Sequence, residues 1–180
     1  MERWSEINAP LLRHSIPQSV SPMRHPSLIL LSHDHHHGLA LALRCRKQAL
    51  GQLKPMGSAG LRERVREFSD FFGSNLIAHF RAEEEVLFPY VREVAPGSGP
   101  ITDVLIKDHE QIRAAVPKLQ TGLALAKLIF DLGDLLERHI RKEERELFPL
   151  FEQHADRRQA EVIGVAMKEI LGQNTAVGTG

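Results

Sequence analysis

Two stretches of the chain carry the same chemistry-bearing residues at the same spacing. His79-Phe-Arg-Ala-Glu83-Glu84-Glu-Val-Leu87-Phe88-Pro89 recurs as His139-Ile-Arg-Lys-Glu143-Glu144-Arg-Glu-Leu147-Phe148-Pro149, and an Asp-His pair precedes each copy, Asp34-His35 and Asp108-His109. On a helix, a histidine and a glutamate four residues later share a face one turn apart. Two such pairs, with a histidine from each of two further helices, make a cluster of imidazole nitrogens and carboxylate oxygens. That donor set suits iron, manganese or zinc. Two carboxylates arriving from opposite helices can each bridge a pair of metal ions.

A single His-x3-Glu on a helix surface is an ordinary solvated contact, and a lone buried histidine is commonplace. Position decides here. His79 and Glu83 continue the apolar stripe Val65, Phe68, Phe72 and Leu76. His139 and Glu143 continue Leu128, Leu132 and Leu135, and His109 shares a face with Leu105, Ile112 and Val116. An unpaired carboxylate is too costly to bury, so these groups need a shared cation in the core. The first-helix donor has two candidates. Counting acid-then-histidine, as in Asp108-His109, selects His35; counting apolar positions from Leu39, Leu43 and Leu50 selects His36. Both are kept, with at least one expected to bind, and His33 and His37 are assigned to the surface. Glu84 and Glu144 are expected to face outward or accept hydrogen bonds from the ligands. Leu87-Phe88 and Leu147-Phe148 are expected to close the core below the site.

The elements that position these residues read as helices throughout. Residues 1–26 hold Pro10, Pro17, Pro22 and Pro26 and form an irregular extension. Ser27 caps a helix from Leu28 to about residue 53, broken by Gly51, Pro55, Gly57 and Gly60. A second runs from about Leu61 to Tyr90 or Glu93, ended by Pro96-Gly-Ser-Gly-Pro100. Pro89 and Pro149 are expected to mark helix ends or kinks. A third starts near Thr102 and breaks at Thr121-Gly122; a fourth covers about 123–151; a shorter one covers about 157–171, with a flexible tail over 174–180. The spacing predicts an all-α, antiparallel up-down-up-down four-helix bundle with an additional C-terminal helix, as one domain over 27–173.

Composition narrows the function. Lys+Arg and Asp+Glu both total 23, for a formal net charge of zero, with no basic stretch of nucleic-acid-binding character. The single cysteine, Cys45, excludes an intramolecular disulfide and cysteine-rich zinc or iron–sulfur sites. No apolar run approaches the roughly 20 residues that cross a bilayer. A cytoplasmic protein acting away from membrane and nucleic acid is expected.

His79-x3-Glu83 and His139-x3-Glu143, each followed by Leu-Phe-Pro, together with Ser-His-Asp-His-His-His-Gly-Leu and Lys-Asp-His-Glu, resemble the hemerythrin-like (HHE cation-binding) domain family over roughly residues 27–155. The resemblance implies a non-haem di-iron site with His35 or His36, His79, Glu83, His109, His139 and Glu143 as ligands and Glu83 and Glu143 as bridges. Zinc or manganese are alternatives. It departs from the oxygen-carrying members in two places. Arg113 stands where they have a second third-helix histidine, and Glu143 follows His139 by four residues where they have an aspartate at five. The pattern is closer to relatives linked to iron handling, oxygen or nitric-oxide response and redox sensing. Ferritin-like sites rely on Glu-x2-His, which the chain lacks. The expected function is a non-enzymatic metalloprotein meeting a small diatomic ligand or peroxide. Runners-up are a di-iron reductase of peroxide or NO, and an interaction module with a structural mononuclear metal. Leu76, Leu105, Ile112, Leu135 and Ile140 are candidates for lining an apolar pocket at the metals.

Overall fold

The computed structural model describes residues 24–173, and among these every regular element is helical. α1 is Ile29–Ala49 and α2 spans residues 57–94. α3 is Gly99–Ala115, drawn out by a tighter turn over Val116–Thr121. α4 spans residues 125–154, and α5 is Arg157–Gln173. α1 to α4 form the up-down-up-down bundle, and α5 packs along α2 and the turn leading into α1. The expected irregular extension, up to residue 23, and the tail over 174–180 lie outside the described residues.

α1 enters differently from expectation. Pro26–Leu28 form a short 3-10 turn, whose Ser27 N–H is accepted by the His25 imidazole at 3.2 Å. Ser27 is not the cap: its hydroxyl donates to the Ala160 carbonyl at 2.6 Å and so fastens α5 to the start of α1. A Cβ at Gly164 would sit 2.6 Å from that hydroxyl oxygen, so the contact needs glycine there.

The buried face of α1 is Leu31, His35, Gly38, Leu41, Ala42, Cys45 and Gln48, at helical spacing. Leu43 and Leu50, which the leucine count places inside, are 45% and 60% exposed. The reason is how closely α1 meets α4. A Cβ on Gly38 would lie 2.7 Å from Ile140 Cδ1, and one on Gly133 would lie 2.8 Å from the Ala42 carbonyl oxygen. Small side chains mark this contact, and the large ones have been left on the outer face.

α2 widens into π turns at Phe72–Leu76 and Glu83–Leu87, and α4 does so at Glu143–Leu147, the counterpart of the second. The Phe88 and Phe148 N–H groups donate back to the Glu83 and Glu143 carbonyls, five residues earlier. Pro89 and Pro149 follow at once. A proline lacks an N–H and crowds the preceding turn, so it is accommodated where the ladder has already opened. Both helices therefore pass through their prolines, to Val94 and His154, within a few residues of the ends the spacing predicts, and the expected end or kink at each proline is a π turn just before it.

Two apolar clusters fill the bundle. One gathers Leu28, Leu31, Leu87, Phe88, Val91, Leu105, Leu147, Phe148 and Phe151 with Met167 of α5. The other gathers Leu41, Cys45, Phe68, Leu76, Phe80, Ile112, Leu132, Leu136 and Ile140. Burying each large side chain stabilises the fold by about 1.5–3 kcal/mol. That gain offsets the cost of the polar layer that both clusters border.

Candidate metal centre

Four helices each send one histidine into that layer: His35 from α1, His79 from α2, His109 from α3 and His139 from α4. Glu83 and Glu143 join them one turn beyond His79 and His139. All six side chains are buried, His35 being the most exposed at 3%. Their donor atoms fall into two groups, His35, His79, Glu83 and Glu143, and Glu83, His109, His139 and Glu143. Within each group the atoms lie no more than 4.8 Å from one another. Both carboxylates belong to both groups. His36 belongs to neither; it is exposed on α1, because the buried stripe passes through His35 and the small residues rather than the leucines.

The contacts are those of donors around common points. His35 Nε2 and His79 Nε2 are 3.1 Å apart, as are His109 Nε2 and His139 Nε2. Glu83 turns Oε1 to His79 Nε2 at 3.2 Å and Oε2 to His109 Nε2 at 3.4 Å. Glu143 Oε2 lies 3.0 Å from His35 Nε2 and 3.4 Å from His139 Nε2. Two donors at right angles, each about 2.1 Å from one metal ion, stand about 3.0 Å apart.

The outer nitrogens show which atoms face inward. His35 Nδ1 donates to Glu144 at 2.8 Å, His79 Nδ1 to Asp34 at 3.1 Å and His109 Nδ1 to Glu84 at 2.7 Å, while His139 Nδ1 lies 3.6 Å from Asp108. When neutral with the proton on Nδ1, the tautomer that the acceptors behind His35, His79 and His109 favour, an imidazole points its Nε2 lone pair at its neighbours and at carboxylate oxygens. All four oxygens of Glu83 and Glu143 are buried with no hydrogen-bond partner. Lone pairs and orphaned carboxylates turned on one interior are repulsive unless positive charge lies between them. The donor set therefore fits a pair of metal cations.

The outer partners form a ring. α1 supports the histidine of α2 through Asp34, and α2 supports that of α3 through Glu84. α3 faces that of α4 through Asp108, and α4 supports that of α1 through Glu144. Carboxylates in this position fix the tautomer and the ring plane of a metal-binding histidine. Glu84 is held by Arg113 at 2.8 and 3.1 Å, and Glu144 by Arg24 and by Ser32 Oγ at 2.8 Å. The Phe88 and Phe148 rings stack on His109 and His35, with centroids 5.7 and 5.3 Å away, and Phe80 covers His109 more closely at 3.8 Å. Each copy of the repeat thus supplies two inward donors, plus a glutamate and a phenylalanine that position the histidine of a neighbouring helix.

The charges respond as this geometry requires. Burial alone would pull the His79 imidazole down, but the Glu83 charge and the hydrogen bond to Asp34 outweigh it and push the pKa up to about 10. His35 and His109 are raised against burial by the carboxylates on both sides of each ring, Glu143 and Glu144 for His35 and Glu83 and Glu84 for His109. Burial raises Glu83, yet His79 and His109 bring it well below the usual carboxylate range. Glu144, opposed by burial, falls to about 2 through His35, Ser32 and Arg24. The interior favours positive charge, carried by protons or by metal.

The structure brings together His35, His79, Glu83, His109, His139 and Glu143, and places Glu84 and Glu144 as acceptors behind the histidines. Sequence reasoning passed over Asp34, Asp108, Asn75 and Arg24 as participants. Asp34 and Asp108 had a visible signal, an acid just before a histidine at corresponding points. It was used to count positions rather than to assign a role. Leu76, Ile112, Leu135 and Ile140 are buried together in one cluster, and Leu105 belongs to the other.

A family model described as the hemerythrin HHE cation-binding domain matches residues 27–161. No curated protein and no solved structure matches the chain.

Proposed function

The chain belongs to the hemerythrin HHE cation-binding domain family, and we propose that its buried cluster holds a non-haem di-iron centre that binds or senses O2, NO or peroxide. His35, His79, His109 and His139, with Glu83 and Glu143 common to both groups of donors, are the residues that would hold the irons. The observation that carries this reading is the pair of orphaned, fully buried carboxylates common to both groups of donors. A mononuclear structural ion would leave two histidines and part of each carboxylate without a partner.

Bound iron would supply reversible one-electron chemistry toward a small ligand. The chain's own groups do the rest. Glu144, Asp34 and Glu84 keep the Nε2 atoms of His35, His79 and His109 aimed inward, and Phe80, Phe88 and Phe148 wall the histidines with apolar surface that disfavours water and ions over diatomic molecules. Binding or sensing is favoured over turnover by the placement of the polar groups. Among the described residues, Asp34, Glu84, Asp108 and Glu144 all face the outer nitrogens. Cys45, pushed up to about 12 by burial and by Glu67, is a protonated thiol in the apolar cluster.

The test is metal content and near-ultraviolet to visible absorption of protein from iron-supplied cells, before and after dithionite. About two irons per chain are expected, with charge-transfer bands that bleach on reduction and shift when NO is added. One zinc per chain, or no metal and no bands, overturns the di-iron reading. Steady peroxide or NO consumption with an electron donor would instead make the centre an enzyme.

A further inference from the structure

The run from His33 to His37 contains more histidine than the buried centre uses. His35 turns inward, while His33, His36 and His37 are exposed on α1. We propose that His33 and His37 form a separate, surface metal site that chelates a late first-row divalent cation such as Ni2+, Cu2+ or Zn2+.

Residues four apart on a helix are neighbours, and two histidines at that spacing present their nitrogens to one point above the helix surface. The His33 and His37 rings are adjacent and inclined, with centroids 4.7 Å apart and planes at 74°, so both imidazoles lie within reach of one ion. Neither ring takes part in a hydrogen bond or ion pair among the described residues, so their nitrogens are open to a ligand. A carboxylate of the neighbouring helix on this side is engaged elsewhere. Glu67, which lines the depression beside His37 with Arg44 and Asn75, is bound by Arg44 and Arg64. α1 is packed against α4 and α2 along its length, so the pair is held in register before any ion arrives. Imidazole donors with water completing the shell follow the order that favours nickel, copper and zinc over iron and manganese. The surface pair thus favours ions later in the series than the iron proposed for the core.

His36 provides the control. It is one residue from His37, about 100° around the helix, with ring centroids 5.9 Å apart, and it lies off the line joining His33 to His37. A chelate needs His33 and His37 and is indifferent to His36, whereas loose affinity of a histidine-rich stretch would depend on all three.

The experiment is equilibrium dialysis of iron-loaded, full-length protein against Ni2+, with iron and nickel counted in the same sample. The wild type is expected to take up one nickel beyond its iron, with no iron lost. H33Q and H37Q should each weaken that uptake by about tenfold or more, while H36Q should leave it unchanged, all three variants keeping the wild-type helical circular dichroism. No added nickel in the wild type, nickel gained only as iron is lost, or equal weakening by H36Q overturns the proposal. Protein that loads no iron leaves the comparison of variants intact, so the two readings fail separately.

Discussion

On the α1–α2 side of the centre, His79 donates to one oxygen of Asp34 at 3.1 Å and Asn75 donates to the other at 3.0 Å. On the α3–α4 side, His139 Nδ1 and Asp108 stand 3.6 Å apart, and that nitrogen has no hydrogen-bond partner. The repeat explains the difference. Asn75 lies four residues before His79, and the corresponding residue before His139 is Leu135, buried in the apolar cluster. Two copies of one motif thus place identical donors but unequal supports. The half whose acid is itself held in place should grip its metal more tightly, because a ligand's orientation depends on what fixes its outer nitrogen.

The largest effect should erase the comparison altogether. Glu83 and Glu143 each serve both groups of donors, so E83Q or E143Q should strip both metals, with metal per chain falling below about one as read by elemental analysis. A variant that loses one ion and keeps the other tightly bound shows that its carboxylate does not bridge. Glutamine keeps the size of the buried side chain, and the helical circular dichroism of each variant reports separately whether the fold survives the loss of a carboxylate that the buried histidines face.

Next in size are the supports. D34A should weaken the His35–His79 subsite by roughly 10–100-fold. D108A removes a partner already beyond hydrogen-bonding distance and should weaken the His109–His139 subsite by no more than about threefold. Chelator-driven release followed by stopped flow resolves the two ions. The wild type should release them in two phases, the faster from the α3–α4 side, and D34A should merge or reverse the phases. Equal losses in the two variants would falsify the asymmetry.

How much of this was legible in the sequence depends on what each residue does for the fold. The five helices and the inward stripe of α2 and α4 were readable, because large apolar residues at helical spacing lead directly into His79, Glu83, His139 and Glu143. α1 was misread for the opposite reason. Its buried face is built from Gly38, Ala42 and Cys45 so that α4 can come close, and a count of leucines finds the solvent side. That inversion is what kept His36 level with His35. The π turns were not legible either. A proline reads as an end or a kink, and only the packed bundle shows Pro89 and Pro149 following a turn already widened at Glu83 and Glu143. Arg24 supports Glu144 from a point distant in sequence, and no local spacing announces such a contact.

A smaller effect is carried by protons. In the metal-free protein His79 is pushed up to a pKa of about 10 from the ordinary imidazole value of 6.5, so the folded state holds a proton that the unfolded chain releases between these values. The stabilisation is complete below about pH 6.5 and is lost as pH rises toward 10. Melting temperature of the metal-free protein should therefore fall between pH 7 and pH 9.5. D34A, which removes one cause of the raised pKa, should flatten the slope. The metal-loaded protein should behave in the opposite sense, because metal competes with these protons and binds better as they leave. A metal-free melting temperature that climbs over this range contradicts the charge assignment.

The finest test converts one half into the other. N75L gives α2 the residue that α4 carries at the matching position and leaves all six inward donors and Asp34 in place. Asp34 would keep His79 but lose the amide that fixes its second oxygen, so its carboxylate could rotate away as freely as Asp108. About a threefold to fivefold faster release from the His35–His79 subsite is expected, bringing the two phases together without loss of total metal. The position is half-buried beside His37 and Phe71, so a leucine can be accommodated there, and the melting temperature of the metal-free protein reports any strain separately. If the phases stay apart in N75L but merge in D34A, the acid alone sets the asymmetry and the α3–α4 half is weak because Asp108 is distant. If both variants merge them, the missing amide opposite Leu135 is the cause.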